Sequence, residues 1–204
     1  MTDLGITFIR ALELPEDRIA KSIEDFWQQR VYDKYFPPLL ESRLLRRISP
    51  DARFGLVDIV LWDGGVRSDP LTYPSFKRID PVTTAYGGYY EVAAEYHSAA
   101  GDSGSGEGVV FVNAFELPIN RIDEFLPHWN GRAELQSHAP GFRNSRMHRA
   151  IHWDTHFQLI NISHWDSVEA WQFATANPDL QQRRAASPDF VTPNGALFRV
   201  VAES

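Results

Sequence analysis

Two short runs of β-prone, largely apolar residues, 6–13 and 109–116, each end in Leu-Pro and lead into a helical pattern. Proline suits the first turn of a helix, so both junctions read as strand followed by helix. Over 16–32 the apolar positions Ile19, Ile23, Phe26, Trp27 and Val31 recur at helical spacing. Ile122, Phe125, Leu126, Trp129 and Ala133 do so over 119–136. Pro37-Pro38 and Pro140-Gly141 close these helices. Strands 40–48 and 142–151 follow, turn at Pro50-Asp51 and at His152-Trp153-Asp154, and return as 53–62 and 156–165.

The correspondence is a duplication. Residues 8–63 fall on 111–166 at an offset of 103 without a gap, and 18 of the 56 positions are identical. A repeat of this length is domain-sized rather than a solenoid unit. Beyond the Trp-Asp pairs at 62–63 and 165–166 the copies diverge. Residues 166–186 predict a helix interrupted at Asn177-Pro178, whereas 64–78 are broken by Gly and Pro and predict a poorer one. The closing strands match at a further shift of five, Tyr90-Glu91-Val92 against Phe198-Arg199-Val200. The small, polar stretch from Ser98 to Gly106 between the copies is a linker by composition.

Each copy therefore reads βαββαβ, which places two helices on one face of a four-stranded antiparallel sheet and leaves the other bare. Along 156–165, Phe157, Leu159, Asn161, Ser163 and Trp165 alternate with Ile160 and Ile162, so both faces need cover. The expected fold is α+β: two ferredoxin-like repeats packed bare face to bare face as an internal pseudo-dimeric α/β barrel. The expected division is 1–97, a linker at 98–107, and 108–204. A further homodimer stays open.

A net charge of −7 argues against duplex nucleic acid, which requires a basic face. Without cysteine there is no disulfide, thiolate metal site or cysteine nucleophile. No apolar run approaches a membrane span and the N-terminus lacks a signal-like pattern, so a soluble cytoplasmic protein is expected.

Candidate chemistry lies in the second copy. Alternation puts Phe111, Asn113 and Phe115 on one face of a strand, and Asn161 with Trp165 on one face of another. A buried amide without partners costs roughly 1–3 kcal/mol. The two asparagines can satisfy each other structurally, or hold the phenol and carbonyl oxygens of a guest ring. In the first copy Arg10 replaces Asn113 and Asp58 replaces Asn161, while Trp62 matches Trp165. An Arg10–Asp58 ion pair there would fill its own pocket; the alternative is that both residues bind substrate.

His148, His152 and His156 are spaced by four, but they straddle a hairpin turn, so a metal-binding helix face is rejected and no metal site is expected. His128, beside Trp129 on the first helix of the second copy, is a candidate general base, with ordinary helix surface as the alternative.

Phe111-Val112-Asn113-Ala114-Phe115, the Pro140-Gly141-Phe142 turn and Leu159-Ile160-Asn161-Ile162-Ser163-His164-Trp165-Asp166-Ser167 resemble the antibiotic biosynthesis monooxygenase family. Ala170-Trp171 and the Ala176-Asn177-Pro178 turn also fit. The resemblance spans about 108–203, with a degenerate version over 5–96. It implies a small α/β barrel and a cofactor-independent oxygenase that uses dioxygen as co-substrate on an aromatic polyketide. It also implies that Asn113, Asn161 and Trp165 form the site core, with Trp165 supplying stacking area and an N–H. Arg184 resembles a family arginine that assists protonation of a peroxide; a solvated helix arginine is the alternative. Trp171 stands where members often carry Tyr. Phe111, Phe115, His128, Trp129 and Trp171 complete the expected substrate-binding set.

The leading expectation is oxidation of a phenolic naphthol or anthrone to a quinone or hydroxylated product. A non-oxidative polyketide cyclase and a non-catalytic aromatic-binding subunit are the alternatives. A haem-degrading relative would need an axial histidine on the second helix, and 166–186 contain none.

Overall fold

The computed structural model describes residues 5–33, 39–62, 83–101 and 108–203. The first copy contributes β1 (Ile6–Glu13), α1 (Glu16–Asp33), β2 (Leu39–Arg47), β3 (Leu56–Trp62) and β4 (Thr84–His97). The second contributes β5 (Val109–Glu116), a 3-10 turn (Ile119–Arg121), α2 (Ile122–Ser137), β6 (Phe142–Ala150) and β7 (Leu159–Trp165). It ends with α3 (Val168–Thr175), α4 (Pro178–Ala185) and β8 (Thr192–Glu203). The poor helix expected over 64–78 lies outside the described residues.

The interruption expected at Asn177-Pro178 separates α3 from α4. The Asn177 carboxamide oxygen caps α4 by accepting from the backbone N–H groups of Asp179 and Leu180, and Pro178 opens it. Ser167 caps α3 the same way, accepting from the Ala170 N–H. The strand expected from 156 starts later, at Leu159. Before it, the Gln158 side chain donates to the carbonyls of His152, Trp153 and Thr155, which holds the turn out of the ladder. Phe157 accordingly packs in the barrel core and not on the face of Asn161.

Eight antiparallel strands close a barrel in the order β1-β3-β2-β8-β5-β7-β6-β4, with each copy supplying four adjacent strands. The expected fold is the observed one. The two seams obey the same twofold relation: Leu45 pairs with Val200 across β2–β8, and His148, the counterpart of Leu45, pairs with Val92 across β6–β4. Ile9, Ala11, Leu45, Val57, Tyr90, Val112, Ile160, Ile162 and Phe198 fill the interior. Burying the Val, Leu, Ile and Phe side chains among them contributes roughly 1.5–3 kcal/mol each.

Polar ties also join the copies. The Tyr90 hydroxyl donates to the Phe157 carbonyl at 3.0 Å. Arg53 reaches Glu13 and its counterpart Glu116, at 2.5 Å to each. Helices lie outside. α1 covers Leu12, Leu44 and Leu56 through Ile19, Ile23 and Phe26. α2 covers Phe115, Met147 and Leu159 through Ile122, Phe125 and Trp129. The space between helices and the second sheet holds the asparagines.

Candidate active site

β5 lies between β7 and β8, and the register sets Asn113 opposite Asn161 on one side and opposite Gly195 on the other. Paired residues of neighbouring strands project to the same face. That face is the helix-covered one, because Phe115 and Leu159 pack under α2 while Val109 and Trp165 pack under α3. Asn161 is buried, and its carboxamide oxygen accepts from the Ser145 hydroxyl at 2.7 Å. This contact leaves the amide N–H groups as its donor end. The carboxamide oxygen of Asn113 is buried with no hydrogen-bond partner.

The aromatic wall is Phe111 and Trp171, whose rings lie 5.3 Å apart at 34°. Gly195 seats this wall: a Cβ there would stand 2.8 Å from Phe111 Cζ and 3.2 Å from Asn113 Cγ. The Trp171 indole N–H is also buried and unpartnered, as is the carboxamide oxygen of Asn130 on α2. Native structures rarely leave such groups unsatisfied, and each one calls for an explanation. An acceptor at Asn113, donors at Asn161 and Trp171, and flat apolar walls together suit a ring carrying oxygen substituents.

Trp165 packs in the same cluster as Phe111 and Trp171. It is fully buried, sits edge-on to Phe142 at 5.0 Å, and donates its indole N–H to the Ser163 hydroxyl. With that N–H already engaged, Trp165 supports the strand, and the indole without a partner is that of Trp171. Phe115 packs against Phe125 at 4.9 Å, and Trp129 is buried edge-on to Tyr96 at 5.7 Å, so both belong to the layer under α2. His128 is exposed on α2. Arg184 is exposed on α4, where partial desolvation holds its guanidinium somewhat below the usual arginine value.

Sequence reading passed over Ser145, Gly195 and Asn130. Ser145 was visible as an identity with Ser42, and Gly195 as the counterpart of Gly87 in the closing strands. Asn130 carried no signal.

In the first copy the same register sets Arg10 opposite Asp58 and opposite Gly87. The Arg10 guanidinium meets the Asp58 carboxylate at 3.0 Å, with side-chain exposures of only 9% and 4%. The ion pair expected from the duplication is therefore present.

No group of three or more His, Asp or Glu capable of holding a metal occurs among the described residues. His148 is buried inside the barrel, while His152 and His156 are exposed around the hairpin turn. Inside the barrel, a cavity of about 70 Å³ is bordered by Thr7, Arg43, Leu45, Arg146, His148 and His164. No helix among the described residues is long and apolar enough to cross a membrane.

Residues 108–186, which carry all of this apparatus except Gly195, match the antibiotic biosynthesis monooxygenase family. The chain as a whole folds as a ferredoxin-like eight-stranded barrel. No curated protein sequence is detectably similar to it. Among solved structures, an anthrone oxidase-like protein superposes with a TM-score of 0.72 at 19% identity, covering 100% of this chain and 94% of that one. A candidate monooxygenase from Fusobacterium nucleatum gives 0.65 at 9% identity, covering 100% and 95%. A major regulator of staphylococcal pathogenesis gives 0.59 at 8% identity, covering 96% and 99%. At these identities the likeness is one of fold, and the fold carries proteins described as enzymes and as a regulator. The function of the second copy must be argued from its site.

Proposed function

We propose that the second copy is a cofactor-independent oxygenase site for an electron-rich phenolic ring of naphthol or anthrone type. The observation that carries this reading is the pair of buried, unpartnered polar groups, the Asn113 oxygen and the Trp171 N–H, beside the Phe111 ring. The family match over the same residues supports it.

In this reading Asn113 accepts a hydrogen bond from a phenolic O–H of the substrate. Asn161, held by Ser145, and Trp171 donate to the neighbouring carbonyl or phenolate oxygen. Neutral amide donors stabilise a developing oxyanion without competing for its proton, and in a dry site each is worth several kcal/mol. The substrate anion then supplies an electron to dioxygen. Recombination gives a carbon-bound hydroperoxide, and loss of water leaves a quinone carbonyl. For an anthrone methylene the balance is CH2 plus O2 giving C=O plus H2O, so the substrate itself is the reductant. Arg184 is the candidate proton source for the peroxide.

Oxygen uptake with 1,8-dihydroxyanthrone, measured with a chelator present and no added flavin, tests the proposal. Uptake that exceeds the spontaneous rate and collapses in Asn161→Leu supports it. Tight binding without uptake would replace it with a binding subunit. Conversion of a linear polyketide without oxygen consumption would replace it with a cyclase.

A further inference from the structure

Half of the eight arginines of the second copy hold a carboxylate. Arg121 pairs with Glu124, Arg143 with Asp166, Arg146 with Glu95 and Arg149 with Asp123. Arg199 lies within electrostatic reach of Glu169. Three arginines stand apart: Arg132 on α2, and Arg183 and Arg184 on α4, have no carboxylate partner among the described residues. They are gathered where the two helices meet. Arg183 lies against the α2 backbone at Gly131, where a Cβ would stand 2.5 Å from its Nη1. Arg132 donates to the Ser187 hydroxyl and sits 5.5 Å from the centre of the Phe125 ring. Burial, together with the charge of Arg184, pushes Arg132 down to about 10.

Like charges brought together at a partly dry helix crossing repel, and a chain of net charge −7 has acidic residues to spare. The carboxylates are nonetheless placed elsewhere. The cluster borders the layer that holds the amides: Arg132 covers Phe125, Phe125 packs on Phe115, and Phe115 is two strand positions from Asn113. The Asn130 carboxamide oxygen, buried and unpartnered, lies between Trp129 and Gly131 on the same helix.

We infer that Arg132 and Arg183, beside Arg184, bind an oxyanion group, carboxylate or phosphate, tethered to the aromatic substrate. Planar guanidinium forks match such groups geometrically. The inference rests on the proposed aromatic site and narrows its substrate to an acid, or to a ring delivered as a phosphate-bearing thioester. Arg132 and Arg183 are positioning residues here, holding the anionic tail while the amides hold the ring.

Two probes of equal shape separate charge from fit: a 1,8-dihydroxyanthraquinone bearing a 3-carboxylate, and the same ring bearing a 3-carboxamide. Quenching of tryptophan fluorescence at low salt should show the carboxylate binding about tenfold tighter to the unaltered protein. That advantage should shrink as salt is raised and be largely lost in Arg183→Gln, which is exposed and expected to fold, and in Arg132→Gln. If phosphopantetheine displaces the carboxylate probe and spares the carboxamide, the natural anion is a carrier phosphate; if it displaces neither, the anion is the substrate's own carboxylate. Equal affinities for the two probes, or an advantage unchanged in both variants, would overturn the inference. Failure of the aromatic site itself looks different, because the carboxamide probe would then bind as well to Asn161→Leu as to the unaltered protein.

Discussion

At matching places in the two copies, the same register holds opposite chemistry. Asn113, Asn161 and Gly195 meet on one sheet; Arg10, Asp58 and Gly87 meet on the other. The first set leaves a buried amide oxygen without a hydrogen bond, and in the second opposite charges meet in a 3.0 Å ion pair. A site with unmet hydrogen-bonding capacity can take a guest. One whose charges are already matched would have to break a buried pair to do so, at a cost of several kcal/mol. On the proposed function, duplication separates two tasks, a stabilising half and a half left free to bind.

The largest expected effect breaks this comparison from the scaffold side. Asp58→Ala removes the carboxylate facing a buried guanidinium and should destabilise the fold by about 3–5 kcal/mol in urea denaturation. Asn161→Leu, which removes an amide and leaves only the Ser145 hydroxyl to find another partner, should cost no more than about 1–3 kcal/mol. Oxygen uptake should rank the two in reverse. Asn161→Leu should lower turnover by roughly 10²–10³-fold, as loss of an oriented donor does elsewhere, and Asn113→Leu, which removes the acceptor for the substrate hydroxyl, should lower it as well. Conservative replacement of the ion pair by Arg10→Asn with Asp58→Asn should leave the existing site working.

A smaller effect concerns the barrel interior, where the first copy has Leu45 and the second has His148. Burial holds His148 down to about 4, against an ordinary value near 6.5. The folded state therefore prefers the neutral ring. As pH falls below about 6.5 the unfolded chain takes up a proton first, and stability declines by up to about 1.4 kcal/mol per pH unit until the folded ring titrates near 4. Above about 6.5 this contribution is flat. His148→Leu, copying the first half, should reduce the slope of thermal stability between pH 6.5 and 4.5 without abolishing it, because burial and the Arg43 charge hold His164 down to about 3 as well; an unchanged slope would place the acid sensitivity elsewhere. Smallest of all, His128→Ala should leave turnover within about twofold, because surface changes of this kind rarely exceed about 0.5 kcal/mol.

Much of this architecture was legible in the chain because duplication supplies its own alignment. The offset of 103 in the early strands, with five more in the closing ones, set Arg10 against Gly87 as Asn113 is set against Gly195. The Arg10–Asp58 pair was readable for the same reason. What escaped were features that depend on side-chain direction rather than strand alternation. Phe157 follows the alternation of β7 but precedes its first paired residue, so it turns into the barrel. Trp165 shares the face of Asn161, yet its N–H is taken by Ser163, two residues away on the same strand. The unpartnered indole is on α3, where helix rotation, invisible to a strand pattern, aims Trp171 at Phe111. His128 is one residue from the buried Trp129, and 100° of helical turn is enough to leave it in solvent.

The central claim is that one copy binds and the other is closed, and ligand stoichiometry tests it most directly. Calorimetric titration with 1,8-dihydroxyanthraquinone should give one equivalent per chain, none in Asn161→Leu, and two in the Arg10→Asn, Asp58→Asn double variant. Two equivalents in the unaltered chain, or a single equivalent that survives Asn161→Leu and vanishes on replacing Arg10, would contradict it.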